Sequence, residues 1–189
     1  ASFDSDVFQG CVDGRAALRG EHPLNTDDDT VQAIESEIRI LREVQQYGPT
    51  PFFAYRMGVL SSLVADVMMP YGFAHSAEER LLQRQMNEDL DKHVENFHVA
   101  NKIKHAKVIR DIVSYFQTSR IFYNDNKELI ADSYQRGNGY QDLLVYSAPS
   151  LFEDATQAVA DMWYTVLKKQ ADASKSSVSR EMLAWYFVR

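Results

Sequence analysis

One stretch of this sequence restricts the fold more than any other, because it is long, apolar and carries a single carboxylate. Residues 51–69 read PFFAYRMGVLSSLVADVMM. Apolar residues cover nearly the whole circumference when this stretch is drawn as a helix, which is typical of a buried central helix. Thr50 followed by Pro51 has the form of an N-cap and a first helical residue, and Pro70 and Gly72 follow the last apolar residue. The pattern predicts a helix over 51–69 at the centre of a bundle.

Asp66 is the carboxylate in this apolar stretch. An unpaired carboxylate is costly to bury, so we expect a partner for it. Ser62 lies four residues earlier and therefore on the same face of the helix. Asp66 could ligate a metal ion, or it could accept hydrogen bonds from Arg, Tyr or Ser across the bundle. Spacing alone favours hydrogen bonding.

The remaining sequence predicts further helices and no strands. Val31 and the apolar residues after it recur at helical spacing, and Ser76-Ala-Glu-Glu79 has the form of a capping box. Helices are predicted over about 30–47, about 125–135 and about 178–188. The region from 76 to about 119 is predicted to form one long helix, or two with a break near 100. A capping box at Ser150-Leu-Phe-Glu153 predicts the start of a further helix. We therefore predict an all-α bundle of five to seven helices, formed by a single domain over 30–189. Residues 1–29 are predicted to form an irregular or partly helical arm, and 178–189 an aromatic tail.

Composition excludes several classes of function. The formal charge of −7 and the absence of a basic stripe argue against nucleic acid or an anionic membrane as the main partner. The longest apolar run falls short of the roughly 20 residues that span a bilayer, so we predict no integral membrane segment. Cys11 is the single cysteine, which excludes an intramolecular disulfide and leaves intermolecular pairing open. A start at Ala1 fits a mature chain after signal-peptide removal, which predicts a secreted, cell-surface or periplasmic protein.

Other constellations give weaker signals. His75 and Glu79 have the spacing of a metal-binding pair, but capping of Ser76 explains Glu79 better. Glu95 and His98 match half of a di-iron pattern, and the sequence has no second pair. It also lacks a nucleophile elbow and a phosphate-binding glycine loop.

The stretch FFAYRMGVLSSLVADVMMPYGFAH, residues 52–75, resembles the central motif of the zinc-dependent phospholipase C family and its relatives, the single-strand-specific zinc nucleases. Residues 151–167 resemble the closing helix of that family. The resemblance places Asp66 at a zinc-ligand position and Pro70 at a motif proline, but Ser62 and Gly72 at positions where the family carries histidines. The family also uses an N-terminal tryptophan, and this chain begins Ala1-Ser2-Phe3. The resemblance thus implies this helical fold with a degenerate zinc site, in which Asp66 is a relic now held by Ser62 or another donor.

These observations predict an exported, non-catalytic structural or interaction protein that uses no cofactor and binds protein partners, either by associating with itself or as part of an extracellular assembly. Candidate interface residues are Cys11 and the aromatic residues Trp185, Tyr186 and Phe187, because an apolar chain end is unstable in water. The alternative is a zinc-dependent phosphodiesterase that uses zinc held by Asp66 and by histidines drawn from His75, His93, His98 and His105, with Glu79 as a further candidate ligand. A module that binds a small apolar ligand inside the bundle is a third reading.

Overall fold

The computed structural model describes residues 2–22, 24–96, 104–142 and 144–168. This part of the chain is all-helical and contains no strand. Its seven α-helices are α1 (Asp4–Asp13), α2 (Asp27–Val44), α3 (Pro51–Met68), α4 (Ala77–His93), α5 (Ile112–Ser119), α6 (Ile121–Gln135) and α7 (Leu144–Leu167). Short 3₁₀ helices lie at Gly14–Leu18, Gln45–Tyr47, Val94–Asn96 and Gly139–Gln141. The prediction of a multi-helix, all-α bundle is confirmed.

Helix α3 is the predicted central helix and packs against α1, α2 and α7. Thr50 caps it, since its Oγ1 accepts a hydrogen bond from the Phe53 N–H at 3.1 Å, and Pro51 occupies the first turn. Met69 is already extended, so the helix ends within one residue of the predicted position. Its central place follows from an apolar surface on nearly all sides, which must be covered by several neighbours.

Helix α1 lies unusually close to α3. A Cβ added at Gly10 would stand 1.9 Å from the carbonyl oxygen of Tyr55, and one added at Gly58 would stand 2.0 Å from the carbonyl oxygen of Val7. The two backbones can approach this closely only because both positions lack a side chain. Where the structure describes it, the predicted arm over 1–29 therefore packs on the central helix of its own chain.

Two capping boxes fix the starts of α2 and α4. Thr26 Oγ1 accepts from the Asp29 N–H at 3.0 Å, and Asp29 Oδ2 accepts from the Thr26 N–H at 3.1 Å. This box starts α2 three residues earlier than predicted. The box predicted at Ser76 and Glu79 is confirmed.

Where the structure describes the region predicted as one long helix or two, that region contains two α-helices. Helix α4 ends at His93, residues 104–110 have no helical structure, and α5 begins at Ile112. Ile109, which lies in the region predicted to be helical, is buried in an irregular segment instead.

The predicted helix start at Ser150 is wrong. Helix α7 begins at Leu144 and includes Pro149, so Ser150 lies inside the helix and caps nothing. Burial explains the difference, because Leu144, Ala148 and Leu151 pack in one apolar cluster and hold this turn helical despite the N–H that proline lacks.

The core divides into two apolar clusters. The larger joins α2, α3, α5 and the second half of α7, and the smaller joins α4, α6 and the first turns of α7 around Tyr71. None of the helices described here is both long enough and apolar enough to cross a membrane.

Candidate functional site

Asp66 is bound by an arginine from the N-terminal segment. Arg15 Nε donates to Asp66 Oδ2 at 2.9 Å, and Arg15 Nη2 donates to the carbonyl oxygen of Gly72 at 2.5 Å. The guanidinium also lies 4.5 Å from the centre of the Phe73 ring. Arg15 therefore ties the 3₁₀ helix after α1 to α3 and to the turn that follows it. A donor for Asp66 was expected, and the structure supplies Arg15 rather than the named candidate Ser62.

The ionised form of Asp66 depends on this arginine. Burial raises the pKa of Asp66 above its ordinary value, and the charge and hydrogen bond of Arg15 offset part of that rise. Both side chains are 31% exposed, so the pair is only partly shielded from water. Asp66 thus acts here as one half of an ion pair that holds the N-terminal segment in place.

Backbone closes position 72, one of the two positions at which the resembling family carries histidines, and Gly14 packs on Ser62 at the other. A Cβ at Gly72 would lie 1.9 Å from the carbonyl oxygen of Asp66. Ser62 Oγ lies 2.6 Å from the place of a Cβ at Gly14, so the 3₁₀ helix after α1 lies directly over Ser62. An imidazole at position 72 would require the backbone to move. These residues do not fit a zinc centre of the family's pattern.

Glu79 is engaged in helix capping and in an ion pair. Its Oε2 accepts from the backbone N–H of His75 at 2.7 Å and of Ser76 at 3.4 Å, and its Oε1 accepts from Lys127 Nζ at 3.1 Å. The hydrogen bond from His75 and the charge of Lys127 hold the pKa of Glu79 below its ordinary value. This arrangement favours capping over a metal-binding pair of His75 and Glu79.

The other histidines considered for zinc are dispersed. His93 Nδ1 lies 2.7 Å from the carbonyl oxygen of Asp89, and the His93 ring stacks on Tyr140 at 4.0 Å. His105 is exposed, and His98 lies outside the described residues. Within the described residues, no group of three or more potential metal ligands includes Asp66 or any of these histidines.

A different group of potential ligands does converge. Within the described residues, ligand atoms of Glu21, His22 and Glu37 lie within 4.8 Å of one another. Arg56 from α3 lies among them, and its Nε donates to Glu37 Oε2 at 3.0 Å while its Nη2 donates to Glu21 Oε2 at 3.1 Å. Arg56 Nη2 also pairs with Glu37 Oε1. Arg56 and Glu37 are 1% and 0% exposed and form a buried ion pair, and the exposed Glu21 adds a second carboxylate to the same guanidinium.

An apolar groove lies between α1, α3 and the end of α7. Its volume is about 520 Å³, within the range of pockets that bury a ligand of drug size. Phe53 and Met57 form its buried floor, while Phe8 and Leu167 stand on its rim and are 69% and 47% exposed. Asp4 is the one charged side chain among its lining residues. The groove is thus an apolar surface that is open to solvent.

Cys11 lies at this groove and is exposed. Partial burial raises the pKa of its thiol above the ordinary value, although a hydrogen bond with Ser61 lowers it. Trp163 Nε1 donates to Ser61 Oγ at 2.8 Å, which links α7 to α3 beneath the groove. Because the thiolate is the nucleophile, a raised pKa argues against a catalytic cysteine and leaves Cys11 as part of the groove wall.

A second cleft, of about 420 Å³, lies where residues 104–110 cross α7. Asp161 is 1% exposed there and accepts from the Tyr115 hydroxyl at 3.0 Å through Oδ2. Three backbone N–H groups of this segment donate to side chains spaced four residues apart on α7: Lys104 to Gln157 at 2.7 Å, Lys107 to Asp161 at 2.9 Å and Ile109 to Thr165 at 2.8 Å. These side chains hold the segment in place.

The predicted interface residues Trp185, Tyr186 and Phe187 lie outside the described residues. Sequence reasoning missed Arg15 as the partner of Asp66 and missed the buried pair of Glu37 and Arg56. It also missed the apolar groove, which is assembled from residues far apart in the chain.

Comparisons of this chain with known protein families, with curated proteins and with solved structures find no match. Evidence on function therefore comes from the groove and from the ion pairs described above.

Proposed function

We propose that this protein is a non-catalytic interaction protein that associates with copies of itself through the apolar groove between α1, α3 and α7. The groove carries the proposal, because its floor is apolar and its rim exposes Phe8 and Leu167. Val12, four residues after Phe8 and on the same side of α1, is 62% exposed and extends the apolar surface. Contiguous exposed apolar surface of this kind marks interaction sites.

The environment of Asp66 supports the non-catalytic part of the proposal. Its carboxylate is engaged by Arg15, and position 72 has no room for a side chain. Arg15 thereby attaches the N-terminal segment to Asp66 and to the turn at Gly72. The 3₁₀ helix that carries Arg15 directly follows α1, which builds one side of the groove.

Elemental mass spectrometry tests this part against the zinc phosphodiesterase. The protein is purified without chelators, and Asp66→Asn is the control. We expect no stoichiometric zinc in either protein. Zinc bound at a molar equivalent in the unmodified chain and lost in Asp66→Asn would overturn the non-catalytic assignment.

Sedimentation velocity of the full chain tests the self-association. Concentrations run from about 10 µM to about 1 mM, a range over which association with a dissociation constant between these values is detected. Phe8→Gln removes an apolar side chain from the rim, and Leu129→Gln removes one that is 50% exposed on α6. We expect the unmodified chain and Leu129→Gln to associate in the upper part of the range and Phe8→Gln to stay monomeric. Equal association of all three would refute the groove as the contact.

A further inference from the structure

The chain contains a segment whose composition suits the groove. Residues 182–188 read MLAWYFV and carry no charge, and they lie outside the described part of the structure. An apolar segment gains stability from any apolar surface that can bury it, at roughly 25 cal/mol for each Å² covered. The groove offers such a surface on the same chain.

The groove is within reach of this segment. Helix α7 ends at Leu167, which itself stands on the rim of the groove. About fourteen residues, 168–181, separate it from Met182. A polar segment of that length spans about 20 Å as a random coil and up to about 45 Å when extended. It can therefore leave the rim and bring residues 182–188 back over the groove.

Charge favours the same arrangement. Helix α1, one wall of the groove, contains three aspartates and no basic residue, with two of the aspartates in its first turn. Residues 168–181 contain four basic and two acidic residues, so the connecting segment is net positive. A positive connection that passes an acidic helix is attracted to it at low ionic strength.

We propose that residues 182–188 bind in the groove of their own chain and thereby control the self-association, so this inference rests on the function proposed above. A linker of this length gives the tethered segment an effective concentration in the millimolar range. At lower protein concentrations the groove is occupied by the segment of the same chain rather than by a segment from another copy. Copies link only when their concentration approaches that value, by exchanging the same segment between them.

Position-specific disulfide formation to Cys11 tests the inference, because Cys11 lies at the groove and is the single cysteine of the chain. Ala184→Cys places a second thiol in the segment with little change in side-chain volume, and Leu183→Cys is the alternative variant. Ser176→Cys is the matched control, since it lies on the same tether but outside the apolar segment. The full chains are oxidised at about 1 µM, above neutral pH, because the pKa of Cys11 is raised. Non-reducing electrophoresis then separates crosslinked monomers from dimers.

We expect crosslinked monomers from Ala184→Cys or Leu183→Cys to form at least about tenfold faster than from Ser176→Cys, because binding in the groove holds the thiol near Cys11. Phe8→Gln added to the faster variant should reduce its rate to that of Ser176→Cys. Equal rates for the three cysteine positions would overturn the inference. Crosslinked dimers as the main product at this dilution would also overturn it, and would place the segment in a neighbouring copy.

These outcomes are separate from those of the sedimentation test. Loss of association in Phe8→Gln together with equal crosslinking rates would support self-association through the groove and refute binding of residues 182–188 in it. Fast monomeric crosslinking together with unchanged sedimentation of Phe8→Gln would support the bound segment and refute the groove as the contact between copies.

Discussion

Replacing Arg15 with methionine would remove the charged partner of Asp66 while keeping an unbranched side chain of similar reach. The substitution breaks the hydrogen bond to Asp66 and the one to the carbonyl oxygen of Gly72, and it removes the cation from the Phe73 ring. It also leaves Asp66 partly buried without its charge partner. The N-terminal segment should then be held to the bundle more weakly.

The contacts give the size of the effect. A hydrogen bond to a charged group contributes about 1.5–3 kcal/mol, and a partly exposed cation–π contact adds about 0.5–1 kcal/mol. Both members of the ion pair are 31% exposed, so solvent screening reduces the total for the two hydrogen bonds and the cation–π contact to about 2 kcal/mol. For a chain of this length that corresponds to a fall in Tm of about 4–8 °C.

The loss should depend on pH with a defined sign. Burial already raises the pKa of Asp66, and removal of Arg15 raises it further because the lowering charge is gone. A carboxyl whose pKa is raised on folding destabilises the fold while it is ionised, and this cost disappears as pH falls through the folded-state pKa. The deficit of Arg15→Met should therefore be largest at neutral pH and shrink as the solution is acidified through the pKa of Asp66.

Urea unfolding followed by far-ultraviolet circular dichroism measures these effects. A double-mutant cycle with Asp66→Asn isolates the pair, and we expect a coupling free energy of about 1–2 kcal/mol. A coupling below about 0.5 kcal/mol would show that Arg15 and Asp66 are neighbours without a stabilising bond. A deficit that grows on acidification would refute the account of Asp66.

Three further predictions concern other contacts. Gly58→Ala should lower the free energy of unfolding by about 3 kcal/mol, because its Cβ would lie 2.0 Å from the backbone carbonyl oxygen of Val7. Glu37→Gln should cost about 3–5 kcal/mol, because Arg56 would keep a buried charge with weaker compensation. Tyr55 should ionise near pH 12, because burial and its hydrogen bond to an aspartate raise its pKa to about 12. Its contribution to the free energy of unfolding should therefore be present below about pH 10 and be lost as pH rises through about 12.

Controls distinguish these effects from general damage. Ser5→Ala on the exposed face of α1 is the control for Gly58→Ala, and the account fails if both variants are equally stable in urea unfolding. For Glu37→Gln, joint replacement of Glu37 by Leu and Arg56 by Met should recover most of the stability, and no recovery would argue against an uncompensated charge. For Tyr55, the difference between the ultraviolet absorbance titrations of the unmodified chain and Tyr55→Phe isolates one phenol, and a midpoint near pH 10 would contradict the prediction.

Local signals in the sequence predicted the helices well. Thr50-Pro51 and the box at Ser76–Glu79 act within one helical turn, so their effect can be derived from neighbouring residues alone. The box predicted at Ser150 failed because burial of the preceding turn, a tertiary effect, extended α7 to Leu144. Local capping chemistry cannot reveal how strongly a neighbouring surface holds a helix.

The candidate site was less accessible to sequence reasoning. That Asp66 needs a donor follows from its apolar surroundings, but the choice of Arg15 depends on a contact between residues 51 positions apart. The buried pair of Glu37 and Arg56 did leave a trace, because each interrupts an apolar helix face as Asp66 does. A charged residue of each sign on the apolar faces of α2 and α3 indicates an ion pair between these two helices. The groove left no trace, since three distant segments build it.

The three acceptors on α7 that hold residues 104–110 make this helix sensitive to changes in length. Each acceptor occupies the same face only because the spacing of four residues keeps them aligned along the helix. One residue inserted or deleted between Gln157 and Thr165 would rotate the rest of the helix by about 100° and turn one or more acceptors away from the segment. Across evolutionary divergence, α7 should therefore accept substitutions at its exposed positions while its length between these residues stays constant.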